Sequence, residues 1–568
     1  MGDEFSINLT SQLKFLKKNW QWIILVIILI AGTHFRLYHV DYPVNGYHNW
    51  KETHYLTEAR NFANDGFFKH GFFIPAWDYP NYLDPPSGVH GDTFPTTSIL
   101  IGLLFKIFGS KLIVARLFNV FVAVASILIF YLVLKKGFKR DDVALTGAAL
   151  LAINPLHIFF GRNTQLINIA LLFMLISVYF YFEWMSKKNY TKLILAVTFF
   201  MLSFITKTSF FVIAIPILLT FPYKKELKDF KKNIKPLAIA AVIVLVLGFY
   251  LIYSYMIVPP DDETTKTFTL NLIQFDILFS KSFWTTQKFY IIDNFTMLGF
   301  ILGLAGLGLL SLKSKKNLGE KFFFYYFIGS IVWFVIMAYK LSGHNYHYYP
   351  ILPLIMFGIT YLTVFISVNI SNLVNFKFAR PIIQPVIIIV VLLILFSPSV
   401  ESRDRMFDTQ FWGLDIAGEY INAHKLPGER VIHSSHQAYG LLWHADMKGS
   451  AGINDLTGIE FMENNLNATW LFMYNWDFAR VTQDRESWTH IANNYRIVQT
   501  AFSVNNNQLT GLYYFLFRKG GSFNKSLFSP DGNLNVELFS SLVNGKPIQN
   551  WYYERTIDKP IIQYVNLE

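Results

Sequence analysis

Residues 14–40 read KFLKKNWQWIILVIILIAGTHFRLYHV, three lysines (Lys14, Lys17, Lys18) followed by an apolar run from Trp22 to Val40. A run of this length fits the roughly 20 residues of helix that cross about 30 Å of hydrocarbon. It lacks the small-residue cleavage site and the short core of a secretion signal, so it reads as a retained span. By the positive-inside rule the lysines place residues 1–20 in the cytoplasm, and the stretch from Asp41 to about Phe94 is then expected outside.

Similar runs recur near 112–134, 143–160, 166–184, 190–206, 208–222, 236–258, 290–312, 322–340, 351–368 and 382–398, about eleven spans in all. If they alternate, every second gap should be rich in Lys and Arg. The gaps expected inside hold Lys135, Lys136, Lys139 and Arg140, then Lys187 and Lys188, then a cluster from Lys224 to Lys235, then Lys313, Lys315 and Lys316, then Lys377 and Arg380. The apolar stretch Thr96 to Phe108 is too short to cross and is placed as a helix on or dipping into the outer leaflet.

Composition agrees. Of 568 residues 53% are hydrophobic and only 15% charged, against about 25% in soluble domains, and mean hydropathy is +0.34, which excludes disorder and a soluble enzyme. The net charge of +11 lies mainly in the inter-span gaps and is topological, so no nucleic-acid partner is expected. With no Cys, disulfides, thiolate metal sites and cysteine nucleophiles are excluded. After Pro398 the composition turns polar. Residues 399–568 are expected to form a soluble extracytoplasmic α/β domain, with a helix over Asp415–His424 and strands at Arg430–His433, Ala468–Tyr474, Arg496–Phe502 and Leu512–Phe517.

The expected outer gaps carry polar residues that need a reason. Gly46-Tyr47-His48-Asn49-Trp50-Lys51-Glu52-Thr53-His54-Tyr55 leads into Glu58-Ala59-Arg60-Asn61-Phe62. Tyr55, Ala59 and Phe62 share one helical face, with Glu52 a turn earlier near its edge. Further on lie the Pro-rich stretch to Asp92-Thr93-Phe94-Pro95, then Arg162, Lys207 between Thr206 and Thr208, and His344-Asn345-Tyr346-His347-Tyr348-Tyr349-Pro350. Taken singly, Glu52 reads as a surface residue, Asp92 as a helix cap and the cations as interfacial anchors. Together they place cations suited to a phosphate group at one membrane face, with carboxylates able to deprotonate an acceptor. His344 and His347, with Glu52, have metal-ligand chemistry, but an aromatic belt with two amphipathic histidines accounts for them equally, and no metal is expected. No glycine-rich phosphate loop, nucleophile elbow or zinc-protease helix is present.

The pattern His48, Trp50, Lys51, Glu52 running into Ala59-Arg60-Asn61-Phe62, then Phe94-Pro95, Asn154-Pro155-Leu156 with Phe160-Gly161-Arg162, Thr206-Lys207, and Tyr348-Tyr349-Pro350-Ile351-Leu352-Pro353 resembles the GT-C membrane glycosyltransferases. The branch is that of the prokaryotic relatives of protein O-mannosyltransferases and lipid A aminoarabinose transferases, and the resemblance covers roughly residues 20–400. It implies a mainly α polytopic fold of GT-C type: a catalytic membrane domain over 21–398, with a first outer loop of interfacial helices over 41–110, followed by the α/β domain. It also implies transfer of a sugar from a polyprenyl-phosphate carrier to a protein, lipid or cell-surface polymer at the outer face of the cell membrane, with inversion and without a required metal.

Carried over residue by residue, Glu52 takes the second position of the family's Asp-Glu pair and Lys51 stands where the Asp would be. Arg162, Lys207 and the segment His344, Tyr346, His347 and Tyr348 match the donor-phosphate positions. Trp50, Lys51, Tyr55 and Asn168 support the acceptor or the loop. Relatives often carry an acid shortly after the arginine, where this chain has Ile167 and Asn168, so Glu52, Asp92 and His48 each stand as the base. A transporter would show paired charges at mid-span, which these spans lack; a non-catalytic scaffold would have no use for Glu52, Arg162 and Lys207.

Overall fold

The computed structural model describes all residues except 1, 78–88, 90, 92, 259–273, 375–379, 435, 452–454, 507 and 553–560. The chain packs as two compact units, the first from Met1–Val40, Gly91–Thr96 and Arg116–Arg403, the second from Asp41–His90, Thr97–Ala115 and Asp404–Glu568. In chain order the helices as far as residue 206 are α1 (Gly2–Leu37), α2 (Asn49–Asp65), α3 (Thr96–Phe108), α4 (Leu112–Phe138), α5 (Asp141–Ile153), α6 (Pro155–Arg162), α7 (Leu166–Lys187) and α8 (Tyr190–Thr206).

Among the described residues seven helices are long and apolar enough to cross a membrane: Asn19–Leu37 within α1, α4, α7, Asn233–Ile257, Leu318–Ile336, Asn345–Leu373 and Ile382–Asp408. Two bent pairs raise the number to nine, α5 with α6 at 61° and Lys281–Phe295 with Met297–Leu312 at 89°. The expected count of eleven also included the two short helices flanking Lys207, which fall below crossing length.

The expectation of unbroken spans over 143–160 and 290–312 is corrected, and the reason is local chemistry. At the first break Asn154 leaves the helical path and its side chain accepts from His157 N at 3.0 Å, while Pro155 takes the first position of α6, where no N–H is needed. At the second, Thr296 adopts φ 60° and its hydroxyl accepts from Gly299 N at 3.0 Å. Beyond that break the chain makes a close helix crossing: a Cβ at Gly306 would fall on the carbonyl oxygen of Gly358, whereas one at Gly308 meets nothing within 4 Å.

The second unit is built on a seven-stranded sheet, β1 (Arg430–His433), β2 (Gly449–Ala451), β3 (Ala468–Tyr474), β4 (Tyr495–Asn505), β5 (Gln508–Lys519), β6 (Ile548–Tyr552) and β7 (Ile561–Asn566), in the order β2-β1-β3-β5-β4-β7-β6. Strands β2, β1 and β3 are parallel and the remaining pairs antiparallel. The four expected strands are present; β2, β6 and β7 were not expected. One core holds Leu414, Ile421, Trp470, Phe472 and Tyr514; the other holds Ile459, Leu471, Trp488, Phe515 and Phe517.

Strand β1 is followed by a turn and the helix Gly440–Ala445, and the first long loop is stitched to this region. Gly440 N donates to Asn49 Oδ1 at 3.0 Å, Val44 N donates to His444 Nε2 at 3.0 Å, and Phe411 N donates to Asn45 O at 2.6 Å. Trp50 and Trp77 pack against the first of the two cores.

Candidate functional site

Helix α2 begins after His48, which holds a left-handed backbone at φ 60° and so turns the chain sharply into Asn49. Glu52 lies in the first turn, where the helix N-terminus favours a carboxylate, and it is 4% exposed. Lys51 sets its ammonium over the Trp50 ring at 4.3 Å and within 6.0 Å of the Tyr55 ring, a cation–π arrangement. Tyr55, Ala59 and Phe62 are buried along the face expected from their spacing.

One cluster on α2 lies outside the expected site. His54 Nε2 and Glu58 Oε1 are 2.7 Å apart one turn along the helix, Ser98 Oγ donates to Glu58 Oε2 at 2.7 Å, and the Trp77 ring meets the His54 ring edge-on at 4.5 Å. All three polar residues are buried. The signal available in the sequence was the i, i+4 spacing of His54 and Glu58.

In the first unit α6 ends at Arg162, which is 3% exposed. Asn168, at the start of α7, secures that end: its Nδ2 donates to Phe160 O at 2.7 Å, Asn163 O at 3.1 Å and Asn119 Oδ1 at 3.2 Å, and its Oδ1 accepts from the Tyr349 hydroxyl at 2.9 Å. Asn168 thus hydrogen-bonds the backbone on either side of Arg162. Lys207 stands at the junction between α8 and a short 3-10 helix over Thr208–Ile213, its backbone N bonded to Ser203 O at 3.0 Å. Next to it Thr206 Oγ1 and Thr96 Oγ1 are 2.6 Å apart.

Lys207 Nζ lies 5.9 Å from the Tyr346 ring centre. Tyr346 stacks on His344 at 5.2 Å, meets His347 at 4.5 Å and packs edge-on against Phe160, two residues before Arg162, at 6.0 Å. The first unit therefore joins Lys207, His344, Tyr346 and His347 to the end of α6 through ring contacts. Tyr348 is not part of this group: its hydroxyl donates to Gln287 Oε1 at 2.6 Å. Asp92 lies outside the described residues. The His344 and His347 ring centres are 6.0 Å apart, and among the described residues no three His, Asp or Glu side chains stand together as a metal site.

The structure is similar to that of ArnT from Cupriavidus metallidurans bound to undecaprenyl phosphate, with TM-score 0.59 and 11% identity, covering 88% of this chain and 98% of that one. This is the GT-C fold. The apo form of the same ArnT gives TM-score 0.53 at 10% identity with the same coverage. Residues 90–253 match the family described as dolichyl-phosphate-mannose-protein mannosyltransferase, and no curated protein matches the sequence. Within the GT-C fold that matched stretch contains α6, Arg162, Asn168 and Lys207. The chain is an integral membrane protein resembling the mannosyltransferase and ArnT branch.

Proposed function

We propose that the protein transfers a sugar from a polyprenyl-phosphate carrier to an acceptor hydroxyl or amine of a protein, lipid or cell-surface polymer, at the outer face of the cell membrane. The observation that carries this reading is the cluster joining Lys207 through Tyr346 and Phe160 to the helix that ends in Arg162, in a fold shared with an ArnT that binds undecaprenyl phosphate. Arg162 and Lys207 are assigned to the donor phosphate, which they hold and whose charge they balance as it departs.

Glu52 is the first choice of base, with His48 and Asp92 as the alternatives. The acceptor oxygen or nitrogen bonds to the anomeric carbon as the carbon–oxygen bond to the phosphate breaks. The acceptor proton goes to Glu52, and polyprenyl phosphate leaves with the bonding pair. In-line attack inverts the anomeric configuration, and with two cations on the leaving phosphate the reading needs no metal ion.

The test incubates purified protein with synthetic polyprenyl-phosphate sugars and an extract of candidate acceptors, and follows labelled sugar into product. Lys207→Met should raise the KM for donor more than it lowers kcat; unchanged donor affinity would remove its phosphate role. If Glu52→Gln, Asp92→Asn and His48→Ala all transfer at the parent rate, the proposed set of bases is wrong.

A further inference from the structure

Arg36, near the end of α1, is wholly buried, and its partners are all uncharged in the geometry they present. Nη1 donates to Gly32 O at 2.8 Å and to Ala152 O at 3.1 Å; Nη2 donates to Leu151 O at 3.2 Å and lies 2.5 Å from His157 Nδ1. Because a guanidinium only donates, His157 Nδ1 is the acceptor in this pair. Among the described residues no carboxylate pairs with this arginine.

The acceptors explain why a lone cation is buried here. A helix leaves its last carbonyls without intrahelical donors, and Leu151 O would ordinarily accept from the N–H of residue 155, which is proline and has none. Arg36 supplies the missing donors at the break where α5 turns into α6. Its shaft then runs beside the far end of α6: a Cβ built on Gly161 would stand 3.1 Å from Arg36 Nε and 3.2 Å from Cδ. One side chain thus touches the entrance to α6, His157 on its first turn, and Gly161 immediately before Arg162.

We infer that Arg36 is a positioning residue: by replacing the backbone donor that Pro155 removes, it fixes the 61° bend and so sets where α6 presents Arg162. This deepens the proposed function and rests on it only for the phosphate role of Arg162. An ammonium at the end of a lysine chain offers no planar fork to three carbonyls and an imidazole, so Arg36→Lys should restore the position only in part.

Two readouts test it on the full chain. Amide hydrogen exchange over residues 156–163 should rise in Arg36→Met while α7 keeps its protection, and this is read whether or not any sugar is transferred. In the transfer assay Arg36→Met should raise donor KM about tenfold with a much smaller change in kcat, and Arg36→Lys should recover part of the loss. The double variant with Arg162→Met should be no worse than Arg162→Met alone. If Arg36→Met does not yield folded protein, Gly161→Ala, whose methyl would stand 3.1 Å from Arg36 Nε, should shift KM and exchange in the same direction. Unchanged exchange at α6, an unchanged donor KM in an active protein, or additive losses in the double variant would overturn the inference. Absence of transfer by the parent, with the exchange response intact, would instead overturn the functional reading.

Discussion

The Tyr349 hydroxyl donates to Asn168 Oδ1 at 2.9 Å, and the amide nitrogen of that asparagine holds the carbonyls of Phe160 and Asn163 on either side of Arg162. Stranding a buried polar group costs about 1–3 kcal/mol. Asn168→Leu strands several, so it should lower the melting temperature and raise donor KM about tenfold, whereas Tyr349→Phe should cost about 1 kcal/mol and change KM little. A melting scan and a donor titration on the two variants check this.

Glu52 and Glu58 are two buried carboxylates six residues apart with different expected roles. Glu52→Gln should lower kcat by about 10²–10⁴ with little effect on melting, as for a lost general base. Glu58 accepts from Ser98 and is paired with His54, so Glu58→Ala should destabilise the fold by about 1.5–3 kcal/mol. Equal melting temperatures for parent and Glu58→Ala would contradict the second assignment.

Gly306 and Gly308 offer a controlled comparison on one helix. A methyl at 306 falls on Gly358 O, and a methyl at 308 meets open space. Gly306→Ala should reduce the yield of monodisperse protein in detergent, while Gly308→Ala should be neutral or stabilising by up to about 1 kcal/mol. Equivalent behaviour of the two would contradict the packing at the crossing.

Asp415 supplies a pH dependence in the second unit. Burial pushes its carboxyl from 3.8 up to about 7, with Glu419 adding to the shift and the N–H groups of Asp415 and Ile416 opposing it. The folded state holds this proton more tightly than the unfolded chain. The associated stability is fully present below the unfolded value and is lost as pH rises towards about 7, on the order of 4 kcal/mol at most. Asp415→Asn should flatten the melting profile between about pH 4 and about pH 7 and raise stability at the upper end. An unaltered slope would remove Asp415 as its source.

Much of this was legible in the sequence, because bilayer spans follow from apolar length and the strands Arg430–His433 and Ala468–Tyr474 from their apolar residues. The breaks were less so. Asn154-Pro155 lies within an apolar run whose hydropathy gives no sign that a side chain on α1 will take over the lost hydrogen bonds. Strand β2 is only Gly449-Ser450-Ala451 and exists by pairing with β1, which no local pattern announces. On the candidate site, Tyr55, Ala59 and Phe62 are buried as their spacing suggested, but so are Thr53, His54, Leu56, Thr57 and Glu58, so the spacing did not single out one face of α2. Tyr348 and His347 share a motif but not a partner, because neighbours on a 3-10 turn point in different directions. The His54–Glu58–Ser98 cluster was hidden because its third member comes from another helix.

The bond from Gly440 to Asn49 spans 391 residues of chain. At roughly 5–20 residues per second of translation, the segment bearing His48 and Glu52 emerges on the order of half a minute before the helix Gly440–Ala445 it is stitched to exists. That segment must therefore wait, with α3 as an early partner but without its later one, while most of the membrane helices are inserted. Ribosome stalling or nonsense mutations anywhere before residue 440 leave α2 without its seat, so protein truncated there should be cleaved by proteases within residues 41–77 even though its early helices are already in the bilayer.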